Sequence, residues 1–357
     1  MTNAVAIAQY GSTSPNKNRI INGACVIDQR NAGASVSPNT SVDVFPCDRF
    51  AVQASQNSKC TAQQVTTAPT GFKNSLKITS SSAYSVGVND YFDIYQKIEG
   101  YNVADMAFGT ASAVTFTLSF WVQSSLTGTF GGSVYNNAFN RSYPFSYTIS
   151  SANTWEYKTV TIAGDQSGTW TTDNTCGLGV GFGLGVGTNY SGTSGAWTGS
   201  GKFSVTGATS VVGTNGATFY ITGVQLEAGT TASPFEYRQY GTELALCQRY
   251  YYLHASGDQK PIASSATYYG ATQANLYVSF PVSMRSTPSL EIAVGSYYRL
   301  ISAGGGSDTF TTLTIDGTPS PTIVDLYNNT EISGTAGQAA LSRTTNALAK
   351  IAFSAEL

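Results

Sequence analysis

Residues 114–122, VTFTLSFWV, put Val114, Phe116, Leu118, Phe120 and Val122 on one side of an extended chain and Thr115, Thr117, Ser119 and Trp121 on the other. A period of two is that of a half-buried strand. The same alternation recurs at 75–82, 155–162, 178–186 and 217–227. In LGVGFGLGV (178–186), Leu178, Val180, Phe182, Leu184 and Val186 face one way and glycines fill the other side, leaving room for something to lie closely over it. Strands separated by Gly, Ser and Thr loops, with almost no helical period, predict an antiparallel sandwich of jelly-roll type over residues 37–235.

Two stretches break this pattern. In NRIINGACVIDQRNAGASV, apolar Ile20, Ile21, Val26 and Ile27 are interrupted by Asn22-Gly23 and Asn31–Gly33, so residues 1–36 read as short extended pieces joined by tight turns. After Pro234, TELALCQRYYYL places Leu244, Cys247 and Tyr250 or Tyr251 three and four residues apart. With Thr242 as a cap, the spacing predicts one or two turns of helix over 242–253. Alternation returns in 274–298 and 350–357, so residues 263–357 are expected to form a smaller β unit, with Gly-rich 301–310 as an exposed loop. The predicted class is all-β: a jelly-roll sandwich, a helical linker over 236–262, and a C-terminal β domain.

Charged residues make up 11% of the 357 residues, less than half the usual share, whereas 41% hydrophobic and 12% aromatic residues supply a normal core. A formal charge of −2 gives no broad positive field, which argues against nucleic acid as a partner. No apolar window long enough to span a membrane is present, and the N-terminus lacks the basic-then-apolar order of a signal peptide, so the expectation is a soluble protein made in a cytoplasm. Cys25, Cys47, Cys60, Cys176 and Cys247 are odd in number and far apart, which points to buried thiols rather than a zinc site or disulfide framework. The approach of Cys47 to Cys60 across a hairpin is left open.

Candidate chemistry is sparse. His254 is the one histidine and has no histidine or cysteine near it in sequence, so it reads as structural or surface-exposed. Asp90, Asp93, Glu99, Asp105, Asp165 and Asp173 are available carboxylates, but no spacing sets two of them side by side for glycoside cleavage. The expectation is therefore a protein without catalytic residues or cofactor. No spacing motif supports a structural Ca²⁺ near Asp165 or Asp173. Aromatic rings set among polar loop residues can stack on sugars. Tyr190 and Trp197 in GTNYSGTSGAWTGSGKF, then Trp170, are the candidate glycan-binding residues, with capping of the sandwich edge as the alternative. Trp121 and Trp155 lie within strands and read as packing residues.

The segments NRIINGACVIDQRNAGASV, SFWVQSSLTGTF, YPFSYTISSANTWEYKTVTIAGDQSGTW and ITGVQLEAGTTASPFEYRQYGTELALCQRYYY together resemble a family of bacteriophage and prophage tail-fibre proteins with a carbohydrate-binding-module-like jelly roll. The resemblance covers roughly residues 18–252 and leaves 263–357 outside it. It implies a homotrimeric virion component of the phage tail, joined to other tail proteins, with the variable end towards host surface glycan. On that basis Glu227, Glu236 and Arg238, followed by Leu244, Cys247, Arg249, Tyr250 and Tyr251, are candidates for holding the domain junction and the assembly. A buried helix covering the sandwich base is the alternative. A purely architectural virion protein and a polysaccharide depolymerase are the competing functions.

Overall fold

The computed structural model describes residues 16–263, 265–317 and 319–357. It divides into two units, the described residues up to Gln239 with Leu357, and Tyr240–Glu356. In the first unit, six strands run in the order β1 (Val44–Cys47), β2 (Phe50–Ala54), β5 (Tyr91–Glu99), β10 (Cys176–Val186), β7 (Gly128–Tyr135) and β8 (Ser142–Ile149). A second sheet has five, β3 (Cys60–Val65), β4 (Ser75–Ser80), β13 (Thr218–Ala228), β6 (Phe116–Ser124) and β9 (Glu156–Ile162). Every neighbouring pair in these two sheets is antiparallel. The short strands β11 (Ser191–Gly192) and β12 (Ser204–Val205) pair in parallel beside them.

The alternating positions build one core between the sheets. Phe116, Leu118, Phe120 and Val122 of β6 and Leu178, Val180, Phe182 and Leu184 of β10 are at most 1% exposed. Phe120 meets Phe182 edge-on at 4.9 Å, so rings of the two sheets interdigitate. Each such buried side chain contributes roughly 1.5–3 kcal/mol relative to exposure.

The described part of the expected N-terminal segment is built into this core, while its first fifteen residues lie outside the described set. Ile20 and Cys25 are fully buried. Arg19 N–H donates to the Leu226 carbonyl at 2.8 Å and Val224 N–H to the Gly23 carbonyl at 2.9 Å, laying the segment along β13. A side chain at Gly23 would run into the Val224 carbonyl, which explains glycine in the Asn-Gly pair. Asn22 holds positive φ (59°) and is fully buried. Its amide donates to the carbonyls of Ile27 and Asp48 and accepts from Ile27 N–H, closing the turn.

The helix over 242–253 needs correction. Helix α1 runs Tyr240–Gln248 and stops before the buried tyrosines, and strand β14 (Tyr251–Ser256) begins where the helix was expected to continue. The three-and-four spacing of apolar residues holds up to Cys247. Beyond it, Tyr251 pairs in register with Ser354, and ladder formation outweighs the weak tendency of a short segment to stay helical. The expected 236–262 linker is thus partly a sheet strand of the second unit.

In that unit β14 lies in a three-stranded sheet with β23 (Lys350–Ser354) and β17 (Ser289–Ile292). A seven-stranded sheet follows the order β19 (Ser307–Phe310), β18 (Tyr298–Ser302), β22 (Ala339–Thr344), β15 (Ser265–Tyr268), β16 (Ala274–Ser279), β21 (Ile323–Asn328) and β20 (Thr314–Asp316). Its inward side chains, among them Leu276, Tyr298, Leu300, Phe310 and Leu326, pack with Ile351 and Phe353 in a second core. The stretch 301–310, expected as one loop, is a β18–β19 hairpin whose exposed tip is 303–306.

Candidate functional site

SPFEYR (233–238) folds back onto residues 16–20 of its own unit. Strand β13 carries a bulge between Thr222 and Gln225, and its polar side chains receive the returning chain. The Gln225 side-chain oxygen accepts Glu236 N–H at 2.8 Å, while Glu227 accepts Ser233 N–H at 2.8 Å and its hydroxyl at 2.6 Å. Glu236 then takes the N–H groups of Asn16 (2.5 Å) and Asn18 (2.8 Å). Arg238 donates to the carbonyls of Asn18 and Ile20 and lies 3.6 Å from the Glu236 carboxylate. Phe72, Phe235 and Tyr237 form a ring cluster with centroids 4.9–5.4 Å apart beside this clasp. Glu227, Glu236 and Arg238 are therefore brought together by the N-terminal segment. The other five junction candidates lie in the second unit: Leu244 half-buried, Cys247, Tyr250 and Tyr251 fully buried, and Arg249 donating to the Ser283 carbonyl at 3.3 Å.

The glycine side of β10 is covered by the first unit itself. A side chain at Gly179 would meet the Tyr135 ring, and one at Gly183 would come within 2.8 Å of Ser204. From Tyr135 a chain of rings extends outward. Phe139 stacks on Phe203 at 4.5 Å, and Phe203 contacts Tyr91 at 5.1 Å and Tyr190 at 5.6 Å. Tyr91 and Tyr190 meet edge to face at 5.4 Å, and both are half-buried. Lys202 Nζ donates to the Asn189 carbonyl and Phe203 N–H to the Tyr190 carbonyl, each at 2.8 Å, which fixes the loop bearing Tyr190.

Beside these rings the same sheet face carries two carboxyl groups and a lysine. Alternation along YFDIYQKIE (91–99) puts Tyr91, Asp93, Tyr95 and Lys97 on the glycine side, opposite the buried Phe92, Ile94 and Ile98. Gln53 pairs in register with Asp93, and the Tyr95 hydroxyl donates to the exposed Asp43 carboxylate. Asp93 is 0% exposed, and its carboxylate oxygens make no well-aligned hydrogen bond, Gln53 being the polar side chain beside them. Burial holds this carboxyl well above the usual range, Gln53 offsets that only in part, and Asp43 adds to it. Burial would likewise raise neighbouring Asp90. Four hydrogen bonds, from Tyr84, Gly87 N–H, Ser55 and Gln56, instead leave it below its ordinary value.

The two candidate tryptophans occupy a different ring cluster. Trp170 and Trp197 meet edge-on at 5.5 Å and pack against the main core with Phe108 and Tyr143. Both indole N–H groups are spent on backbone carbonyls, Trp170 on Ser167 (3.1 Å) and Trp197 on Ala163 (2.7 Å). Among the described ring contacts none joins Tyr190 to either tryptophan. Asp165 is engaged by Arg141 through two bonds of 2.6 and 2.7 Å, and Asp173 by the N–H and hydroxyl of Thr175. Among the described residues no group of three or more His, Cys, Asp or Glu could hold a metal ion. All five cysteines are buried thiols. His254 is partly buried and its ring nitrogens meet the Tyr252 hydroxyl and the Ile262 carbonyl. Burial lowers its pKa.

No protein-family model matches the chain, and no curated protein does either. Among solved structures, the enzymatically active domain of bacteriophage CBA120 tailspike protein 4 matches with 14% identity and a TM-score of 0.30, over 60% of this chain and 22% of that one. A putative sugar-binding protein from Bacteroides thetaiotaomicron matches with 13% identity and a TM-score of 0.34, over 59% of this chain and all of that one. A family 11 carbohydrate-binding module from Clostridium thermocellum, in complex with a mixed-linked tetrasaccharide, matches with 12% identity and a TM-score of 0.30, over 57% of this chain and all of that one. These are remote likenesses, and no residue role is taken from them.

Sequence reasoning singled out Tyr190 but not its neighbours Tyr91, Gln53, Tyr95 and Asp43. The period-two alternation of residues 91–99 was the available signal, since it sets two tyrosines and an aspartate on one face. Which loop would return to that face was not written in any local pattern.

Proposed function

We propose that the protein binds a neutral, hydroxyl-rich glycan on the outer face of its six-stranded sheet, with Tyr91 and Tyr190 as stacking rings and Gln53 and Asp43 as hydroxyl partners. The observation that carries this reading is the Tyr91–Tyr190 pair: two half-exposed rings 5.4 Å apart, both backed by Phe203. Rings held in place before the ligand arrives lose little freedom on binding. The C–H face of a sugar stacks on such a ring while amide and carboxylate groups take its hydroxyls. The exposed Asp43 carboxylate on this face disfavours anionic sugars. Tyr190 is preferred over Trp170 and Trp197 because those indoles have already committed their N–H groups and pack on the core.

We read the chain as a binder rather than an enzyme. Glycoside cleavage asks for two carboxyl groups flanking the scissile bond, and Asp93 is fully buried. The proposal extends to the setting implied by the resemblance of residues 18–252: a homotrimeric tail-fibre component of a phage virion, made in the host cytoplasm and attached to other tail proteins.

A glycan array with the full chain, followed by Tyr91→Ala and Tyr190→Ala, tests the site. Each substitution is expected to weaken binding about tenfold, in line with the worth of an aromatic contact, at unchanged melting temperature. Binding lost instead on Trp197→Ala would move the site to the tryptophans, and no glycan bound at all would favour a purely architectural role. Release of reducing ends from host glycan would overturn the non-enzymatic reading, and a monomer by light scattering would remove the trimer.

A further inference from the structure

We infer that the outer face of the seven-stranded sheet docks a second copy of this chain, with the acidic strand pair of one copy set against the basic strand pair of the other. Residues facing away from the second core include Tyr277, Ile323 and Leu341, which are 48%, 42% and 59% exposed. At one end of this face Asp316 on β20 stands directly opposite Asp325 on β21. Near the other end Arg299 on β18 stands directly opposite Arg343 on β22. Like charges set across a strand pair are destabilising, yet a chain with only 11% charged residues carries two such pairs on one face.

Neither pair is neutralised inside the molecule. No ion pair within 4.0 Å involves any of the four among the described residues. Asn275 donates to Asp325 at 2.7 Å and more weakly to Asp316 at 3.4 Å, and the Tyr277 hydroxyl lies beside the Asp325 carboxylate, but these partners are neutral and leave both charges in place. In the strand order the acidic pair occupies β21 and β20 and the basic pair β18 and β22, so their midpoints are four strand spacings, about 19 Å, apart. Turning one copy by 180° about an axis parallel to the strands lays acid over base at both ends and brings the exposed apolar side chains together. The surface is thus complementary to itself. A sheet face about 30 Å by 15 Å buries less than a standard interface, so the charges rather than the area decide whether copies hold together.

A two-fold contact of this kind closes on two copies and is separate from the three-fold assembly proposed above, and the test separates the two. Sedimentation velocity of the full chain at micromolar concentration, with and without added salt, is compared with Arg343→Glu and Asp316→Arg. Each variant alone is expected to dissociate with a Kd raised about tenfold or more, because one charged pair is cancelled and neither end then sets an intact acidic pair over an intact basic pair. An equimolar mixture of the two is expected to reassociate, because one end then sets an intact acidic pair over an intact basic pair. Unmodified chain is expected to loosen as salt screens the contacts. If both variants associate as tightly as the unmodified chain, the docking face is wrong while assembly stands. If the unmodified chain is monomeric throughout, both fall. If the variants change glycan binding and not association, the face serves a ligand and the inference is overturned.

Discussion

The two units are both built from alternating strands, but they treat the outer faces of their sheets differently. In the first unit the glycine side of the six-stranded sheet lies under Tyr135 and Ser204, and the returning 229–238 segment is bound by polar side chains of β13 in the five-stranded sheet. In the second, the seven-stranded sheet keeps tyrosine, isoleucine and leucine side chains exposed on its outer face. Charge on the bare face follows the same contrast, although Lys350 pairs with Glu291 elsewhere in the second unit. Arg141–Asp165, Arg19–Asp105 and Arg238–Glu236 pair within the first unit, whereas Arg299 and Arg343, like Asp316 and Asp325, face their own kind. Covering a sheet with the chain's own loops satisfies its polar groups locally. Leaving it bare defers that to something outside the unit.

Several substitutions would break or sharpen this contrast. The largest effect is expected at Gly179→Val, where the added side chain must displace the Tyr135 ring. Overpacking of this kind costs about 3 kcal/mol, read as a lower urea midpoint for the first unit's transition with the second unit's unchanged. A shift of both transitions together would show that the units do not unfold separately. Next comes Glu236→Ala, which removes the acceptor for two N–H groups and leaves Arg238, 7% exposed, without its carboxylate. A loss of about 2 kcal/mol is expected, together with faster proteolysis at residues 16–20.

Asp93→Asn tests the covered face by pH. A carboxyl whose pKa is raised by folding holds its proton more tightly in the folded than in the unfolded chain. Stability is therefore full below the ordinary carboxylate range and falls as pH rises above it, by up to about 1.4 kcal/mol per unit. Thermal melts of the unmodified chain from pH 4 to neutrality should show this fall, and the asparagine variant should lack it. An identical slope in both would mean that Asp93 is not the buried acid responsible. The smallest effect is expected at Leu341→Ser on the bare face, within about 0.5 kcal/mol of the unmodified chain in solutions dilute enough to keep copies apart. A loss as large as that at Gly179 would mean that this face is covered after all.

Much of the architecture was legible. The alternation in 114–122 and 178–186 marks β6 and β10, and the glycine side of β10 announced a close neighbour without naming it. The α1 boundary was misplaced because a three-and-four spacing through Tyr251 fits a helix as well as it fits the start of β14, and only pairing with β23 separates the two. The clasp made by SPFEYR was not legible, since Glu236 and Arg238 act on residues 16–20, some 220 positions away. Tyr190 was found from its loop composition. Tyr91 was missed because it looks like any strand residue until Phe203 and Tyr190 fold against it.

The order of apolar and polar residues alone determined that this chain forms strands and which side chains share a face, because a period of two is a property of the extended backbone. It also determined that charge would be scarce. Which faces are covered, which carboxyl is fully buried, and which like charges stand opposite one another were decided only by tertiary structure. Those outcomes depend on contacts between segments far apart in the chain, and neither burial nor the register between distant strands leaves a trace in local spacing.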